Sequence, residues 1–168
     1  MRCSGFVVIE ESSRFLLIQE ASRKRKGAWF FPGGKIEAGE NINAGTIREV
    51  KEESGMTVAL ASLFYIKYYE GPDGKMEFFF KGKITGGTLK GKADKESLQA
   101  AWFTLDEIKE MKLRENAMSL LSLSMEAASS MPVNNFKIYP EKKLPPAGFW
   151  KSLSLFIFQG RNKKHLTK

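Results

Sequence analysis

The chain has 168 residues, of which 42% are hydrophobic and 12% aromatic, enough to bury one sizeable core with little left for a second. Its formal net charge is +8, and it contains one cysteine, Cys3, and one histidine, His165. A single cysteine excludes an internal disulfide, and a single histidine so near the end disfavours histidine-based catalysis and zinc sites that combine histidine with cysteine. Acid–base chemistry is therefore expected from carboxylates, lysine or tyrosine.

The positive charge is concentrated at the end of the chain. Residues 137–168 contain eight Lys or Arg and one acid, whereas residues 1–136 carry nineteen basic and eighteen acidic side chains. We predict one domain over residues 1–136 and a basic tail, rich in proline and aromatic residues, over 137–168. The apolar run at residues 6–9 is too short for a signal peptide, and no run is long enough to span a bilayer. We therefore expect a soluble, intracellular protein of the cytoplasm.

Apolar periodicity predicts the order two strands, helix, three strands, two helices, which is typical of an α/β domain with a mixed sheet. Asn41 can cap the first helix, and Gly55 can end it in the left-handed conformation. Met118, Leu121 and Met125 are expected on the inward face of the last helix. The predicted strands are residues 3–10, 14–20, 57–70, 76–85 and 100–105, and the predicted helices are residues 42–54, 106–111 and 114–130.

The first predicted helix carries Glu49, Glu52 and Glu53 on one face, opposite an apolar face. Carboxylates spaced three and four residues apart repel one another, so a divalent cation that prefers oxygen ligands is the expected partner. Gly45 lies within the acidic face, where its missing side chain leaves room for the close approach of a loop. Without further context, three such glutamates are also compatible with a solvated helix face.

The residues around these glutamates extend the pattern. Its elements, in chain order, are Pro32-Gly33-Gly34, Glu40, Arg48-Glu49-Val50, Glu52-Glu53, Gly55 and the apolar Met56. This spacing matches the Nudix box at every defined position, so the chain resembles the Nudix hydrolases. The resemblance covers residues 3–130. It implies an α/β/α sandwich that hydrolyses nucleoside diphosphates linked to another group.

The resemblance also implies roles for individual residues. It implies that Mg²⁺, for which Mn²⁺ often substitutes, is bound by Glu49, Glu52, Glu53 and the carbonyl of Gly33. Arg48 is expected to orient the glutamates, and Glu40 to support them from behind. Such cations stabilise the charge that develops on phosphoryl oxygens when water attacks an anhydride. For the catalytic base that accepts the proton from water, Glu52 is the first choice and Glu96 the second.

Within the family, residues 86–90 and 93–102 are similar to the diphosphatases that act on 8-oxo-(d)GDP. We therefore expect a nucleotide substrate with an oxidised guanine base. Candidate nucleotide-binding residues are Phe30, Arg23, Phe78 and Phe80, with Tyr65 and Tyr68 as further aromatic side chains. Aromatic residues at alternating strand positions are also typical of a core, and the basic run at 23–26 is also compatible with a solvated loop.

Other functions remain open at this point. One enzymatic alternative is a pyrophosphatase for ADP-ribose or another nucleoside diphosphate derivative; a coenzyme A pyrophosphatase fits less well, because Glu20 stands where an arginine is expected. A different class is a Nudix-like module that binds a nucleotide without cleaving it. No stable nucleic-acid partner is predicted. The basic tail can rest on an anionic membrane or nucleic acid, or pack as an arm on its own domain or a neighbour.

Overall fold

The computed structural model describes residues 2–72 and 74–127, together with the backbone of the short strand at 138–139. Apart from those two positions, the predicted tail at 137–168 lies outside the described residues. The strands are β1 (Arg2–Glu11), β2 (Arg14–Glu20), β3 (Trp29–Phe30), β4 (Gly33–Ile36), β5 (Met56–Tyr69), β6 (Lys75–Gly87), β7 (Ser97–Thr104) and β8 (Ile138–Tyr139). The helices are α1 (Ile42–Ser54), α2 (Leu105–Lys109) and α3 (Ala117–Glu126).

Strand β1 organises a mixed sheet. It pairs in parallel with β6 and in antiparallel with β2 and β4, and the order across the sheet is β3-β2-β1-β6-β5-β8. Its side chains alternate between two cores: Phe6 and Val8 pack in one, and Val7 and Ile9 in the other. Helix α3 covers the first core and α1 the second, so helices lie on both faces of the sheet. The predicted α/β/α sandwich is confirmed.

Local signals account for the elements that the sequence predicts well. The side chain of Asn41 accepts hydrogen bonds from the backbone N–H groups of Asn43 and Ala44, and Gly55 ends α1 at a φ of 78°. Ser12 and Ser13 both have positive φ, 50° and 60°, which is the turn that matches the twist of a two-stranded hairpin. The helix caps and the hairpin turn therefore depend only on residues close by in the sequence.

The last helix differs from its prediction. It begins at Ala117 rather than at residue 114, because the N–H of Arg114 donates to the carbonyl of Trp29 and Asn116 adopts a φ of 65°. Leu121 is buried as expected, but Met125 is 54% exposed, so its expected inward position is wrong. Within the part of the chain that the structure describes, no helix is long and apolar enough to cross a membrane.

Candidate active site

Glu53 is the most buried carboxylate of the α1 cluster. It is 9% exposed, and its Oε2 accepts a hydrogen bond of 2.8 Å from the N–H of Gly33. Burial raises the pKa of Glu53 well above its usual value, and the negative charges of Glu20, Glu49 and Glu96 raise it further. The alternative of a solvated helix face is therefore wrong for Glu53, which is buried against β4.

Arg48 binds three carboxylate groups, those of Glu40, Glu49 and Glu52. Its Nε and one terminal nitrogen donate to both oxygens of Glu40, at 2.9 and 2.8 Å, and its other terminal nitrogen donates to Glu49 at 2.9 Å and Glu52 at 3.0 Å. Hydrogen bonds from Arg48 lower the pKa of Glu40 to about 2. Arg48 thus lies where it can orient the glutamates, with Glu40 behind it, as the resemblance implies; both roles remain predictions.

Two glycines make room for these carboxylates. A Cβ on Gly34 would run into the carboxylate of Glu49, and a Cβ on Gly45 would lie 2.6 Å from Oε2 of Glu40 and 3.0 Å from Cδ1 of Ile36. The close approach expected at Gly45 is therefore made by the Glu40 side chain and by β4. Both glycines serve the packing of acidic side chains against the backbone.

The loop between β6 and β7 is fastened to the end of α1. Lys90 donates to the backbone carbonyl of Glu52 at 2.8 Å and to Asp94 at 2.7 Å, and the hydroxyl of Ser97 donates to the carbonyl of Glu53 at 2.6 Å. Asp94 in turn accepts from the N–H of Glu96 at 2.9 Å. These contacts hold Glu96 close enough for its charge to raise the pKa of Glu53 beyond the larger effect of burial.

The donor set fits a hard divalent cation. It consists of oxygen ligands, with a buried carboxylate that has no ion-pair partner among the described residues. Burial raises the pKa of Glu49, and the nearby charges of Glu52 and Glu96 raise it further, although its bond to Arg48 acts in the opposite direction. In the side-chain conformations described, no three carboxylates converge closely enough to hold an ion, since Arg48 draws Glu49 and Glu52 towards itself.

A cavity of about 670 Å³ lies around Arg114. The buried rings of Phe30 and Phe79 lie in its wall, and its charged lining is mostly cationic: Arg114, Lys67, Lys112 and the basic loop 23–26 face Glu77 and Glu115. Glu20 lies between this cavity and the carboxylate site: it pairs with Arg114 at 3.5 Å, and its charge raises the pKa of Glu53, secondary to burial. We refer to this space as the Arg114 cavity.

The structure divides the nucleotide-binding candidates into two groups. Arg23 lines the Arg114 cavity, and Phe30 lies in its wall as a buried ring covered by Arg114, so the contact of Phe30 with a nucleotide stays a prediction. Phe78 and Phe80 are buried in the core beneath α1, so their expected contact with a nucleotide is wrong. Tyr65 is also buried, in the core beneath α3. Alternation along β6 is the reason, because it directs Phe79, rather than its two neighbours, to the other face of the sheet.

Sequence reasoning missed most residues of the cavity lining, among them Glu77, Phe79 and Arg114. Glu77 is a charged residue within an aromatic strand, and its isolation among apolar neighbours was a usable signal of a buried polar contact. Nothing local marked Arg114. Its position depends on the pairing of its backbone with Trp29, which lies far away along the sequence.

An α/β/α sandwich with a glutamate-rich helix over its sheet defines a class of proteins, and the comparisons identify it. The sequence matches the NUDIX domain over residues 1–122, so the chain belongs to the Nudix family. A solved NUDIX hydrolase from Nitrosomonas europaea superimposes with a TM-score of 0.67 at 26% identity, covering 82% of this chain and 97% of that one.

Two curated relatives extend this comparison. A nudix hydrolase of Caenorhabditis elegans is 35% identical over 119 residues, which is 71% of this chain and 32% of that protein. The 8-oxo-dGDP phosphatase NUDT18 of Homo sapiens is 43% identical over 99 residues, which is 58% of this chain and 30% of the human protein. The matched segments thus span about a third of the length of these relatives.

Proposed function

We propose that this chain is a Mg²⁺-dependent hydrolase that cleaves the phosphoric anhydride of a nucleoside diphosphate derivative by attack of water on phosphorus. The proposed substrates are 8-oxo-dGDP and 8-oxo-GDP, converted to the monophosphates. The observation that carries the proposal is a buried carboxylate, Glu53, with the charges of Glu49 and Glu96 near it and with Glu20 linking it to a cavity whose lining is mostly cationic. Similarity to NUDT18 supports the oxidised base.

The residues proposed to hold the cation are Glu49, Glu52, Glu53 and the carbonyl of Gly33. When bound there, Mg²⁺, or Mn²⁺ in its place, supplies positive charge to the phosphoryl oxygens and makes water more acidic. The N–H of Gly33 holds the carboxylate of Glu53 in place, and Arg48 does the same for Glu49. The bond from Gly33 fixes Glu53 before a cation arrives, whereas Glu49 and Glu52 would turn from Arg48 towards the cation when it binds.

Glu52 is the proposed proton acceptor. It is the most exposed of the three α1 glutamates, so water reaches it, and its bond to Arg48 sets its direction. Glu96 is the second candidate, because the contacts of Lys90 and Asp94 hold its loop against α1. Cations around the cavity mouth, Arg23 among them, would attract the anionic substrate.

The test is turnover of a nucleotide panel by the purified full chain with Mg²⁺ or Mn²⁺, followed by chromatography of the products. The panel contains 8-oxo-dGDP, 8-oxo-dGTP, dGTP, ADP-ribose, a dinucleoside polyphosphate and coenzyme A. Selective conversion of the oxidised guanine nucleotides to the monophosphate is expected. Cleavage of ADP-ribose or another conjugate alone would contradict the proposed base. Affinity for nucleotides that is independent of Mg²⁺, with no product from any substrate, would identify a binding module instead.

A further inference from the structure

Arg114 is a buried cation that is held by two carboxylates. Its side chain is 10% exposed, one terminal nitrogen donates to Glu77 at 3.1 Å, and the other lies 3.5 Å from Glu20. Lys75 and Tyr69 also donate to Glu77, at 2.6 and 2.9 Å, so that carboxylate is fully occupied. Glu77 therefore anchors Arg114 and has little capacity left for a ligand.

The plane and the backbone of Arg114 are fixed as well. Its guanidinium carbon lies 4.2 Å from the ring centre of Phe30 and 5.0 Å from that of Phe6. Its backbone N–H donates to the carbonyl of Trp29 at 2.9 Å, which ties the segment around it to β3, the strand that contains Phe30. A guanidinium held in this way loses little conformational freedom on binding a ligand.

Several N–H groups of Arg114 remain available to the cavity. Among the described residues, the guanidinium makes a single hydrogen bond, to Glu77, in addition to the longer ion pair with Glu20. With Lys75, these side chains form a quartet of two cations and two carboxylates. Because its own charge is balanced by Glu77 and Glu20, Arg114 can donate to a neutral hydrogen-bond acceptor. The other cations that line the cavity, at 23–26 and at Lys67 and Lys112, are suited to the anionic part of a substrate.

The Arg114 cavity lies within reach of a substrate bound at the carboxylate site. Glu20 pairs with Arg114 at 3.5 Å, and its negative charge adds to the effect of burial in raising the pKa of Glu53. A nucleotide with its phosphates near the α1 glutamates can therefore place its base against Arg114, whose guanidinium covers the buried ring of Phe30. Guanine and its oxidised form carry a carbonyl oxygen at position 6, whereas adenine carries an amino group there, which is itself a donor.

We propose that Arg114 determines base specificity by donating a hydrogen bond to the 6-carbonyl oxygen of an oxopurine. This inference rests on the proposed function, because it assumes that the phosphates of the substrate lie at the α1 glutamates and its base at Arg114. An adenine nucleotide would instead direct its 6-amino group at the guanidinium. Two hydrogen-bond donors would then face each other in a site with little water. Arg114 therefore selects oxopurines over aminopurines, and it does not distinguish guanine from 8-oxoguanine.

The experiment measures binding and turnover separately for 8-oxo-dGDP, dGDP, dIDP and dADP. Binding is measured by calorimetry on the full chain with Glu52→Gln, to prevent turnover, with and without Arg114→Met. We expect affinity for the three oxopurine nucleotides to fall by about 10- to 100-fold, while that for dADP changes by less than about 3-fold. Arg14→Met, which alters an exposed arginine at the start of β2, is the matched control.

A second variant, Arg114→Lys, keeps the test decisive if Arg114→Met fails to fold. It retains the charge that neutralises Glu77 and Glu20 but replaces the planar fork by a single ammonium group, so we expect a folded protein with a weakened oxopurine preference. An equal loss for all four nucleotides, an unchanged preference in both variants, or no binding of any oxopurine nucleotide would overturn the inference. Oxopurine binding that depends on Arg114 without turnover by the wild type would support the inference and contradict the proposed function.

Discussion

The carboxylate site on α1 and the Arg114 cavity each contain a buried ionisable group, but the protein satisfies the two groups differently. Glu53 has no ion-pair partner among the described residues and accepts its hydrogen bond from a backbone N–H, and burial raises its pKa. Arg114, in contrast, is paired with Glu77 and Glu20 within the protein. Because a buried charge is costly unless it is paired, ionised Glu53 would gain from a bound cation, whereas Arg114 is already paired. The difference teaches why we propose a cation ligand for the first region and a hydrogen-bonding role for the second.

The largest expected effect comes from removing the charge of Glu53 in the carboxylate site. Glu53→Gln keeps the shape and the acceptor for Gly33 but removes the charge, so we expect turnover to fall by about 1,000-fold or more. Thermal unfolding should show Mg²⁺ stabilising the wild type but not the variant, which should be at least as stable without the metal. Glu110→Gln, at an exposed position after α2, is the control. Retention of a tenth of the activity would contradict the role of Glu53.

A smaller effect is expected from a substitution that moves the Glu49 carboxylate but leaves its charge in place. In Gly34→Ala, the new methyl group would push the Glu49 carboxylate aside; because that group ends a flexible side chain, the fold should survive. We expect about a 10- to 100-fold loss of kcat/KM and a higher Mg²⁺ requirement, with the free energy of unfolding within about 1 kcal/mol of the wild type. Gly91→Ala, where a Cβ meets nothing within 4 Å, should behave as the wild type. Equal activity of the two variants would show that Glu49 need not lie against Gly34.

The smallest effect concerns the pH dependence of the free energy of unfolding, through the ion pair between Glu40 and Arg48. Hydrogen bonds from Arg48 lower the pKa of Glu40 from its ordinary value to about 2 in the folded chain. A depressed carboxylate pKa contributes stability that is present above the unfolded value and is lost as pH falls towards the folded value. The difference in unfolding free energy between the wild type and Glu40→Gln should therefore shrink between pH 6 and pH 2.5. Denaturant titrations at these two pH values measure it, and a difference that grows on acidification would contradict this linkage.

The sequence predicts the two regions unequally well, and chain distance explains the difference. The carboxylate site derives from residues 33–55, one continuous segment whose helix caps and glycine positions follow local rules. The Arg114 cavity combines side chains from β3, β6 and the segment before α3, which no local pattern connects. Along β6, residues 78, 79 and 80 are all buried, so alternation of apolar and polar residues could not indicate which aromatic faces the cavity.

The backbone bridge between Trp29 and residues 112–114 has a consequence for how substrate range can change. Main-chain groups alone make these bonds, from Trp29 to the carbonyl of Lys112 and from Arg114 to the carbonyl of Trp29. Exchange of the side chain at position 114 therefore leaves the bridge intact, and the segment 33–55, which we propose acts on the phosphates, is untouched. Such a division allows an enzyme to acquire a new base preference, in evolution or by engineering, without rebuilding the chemistry that it already performs.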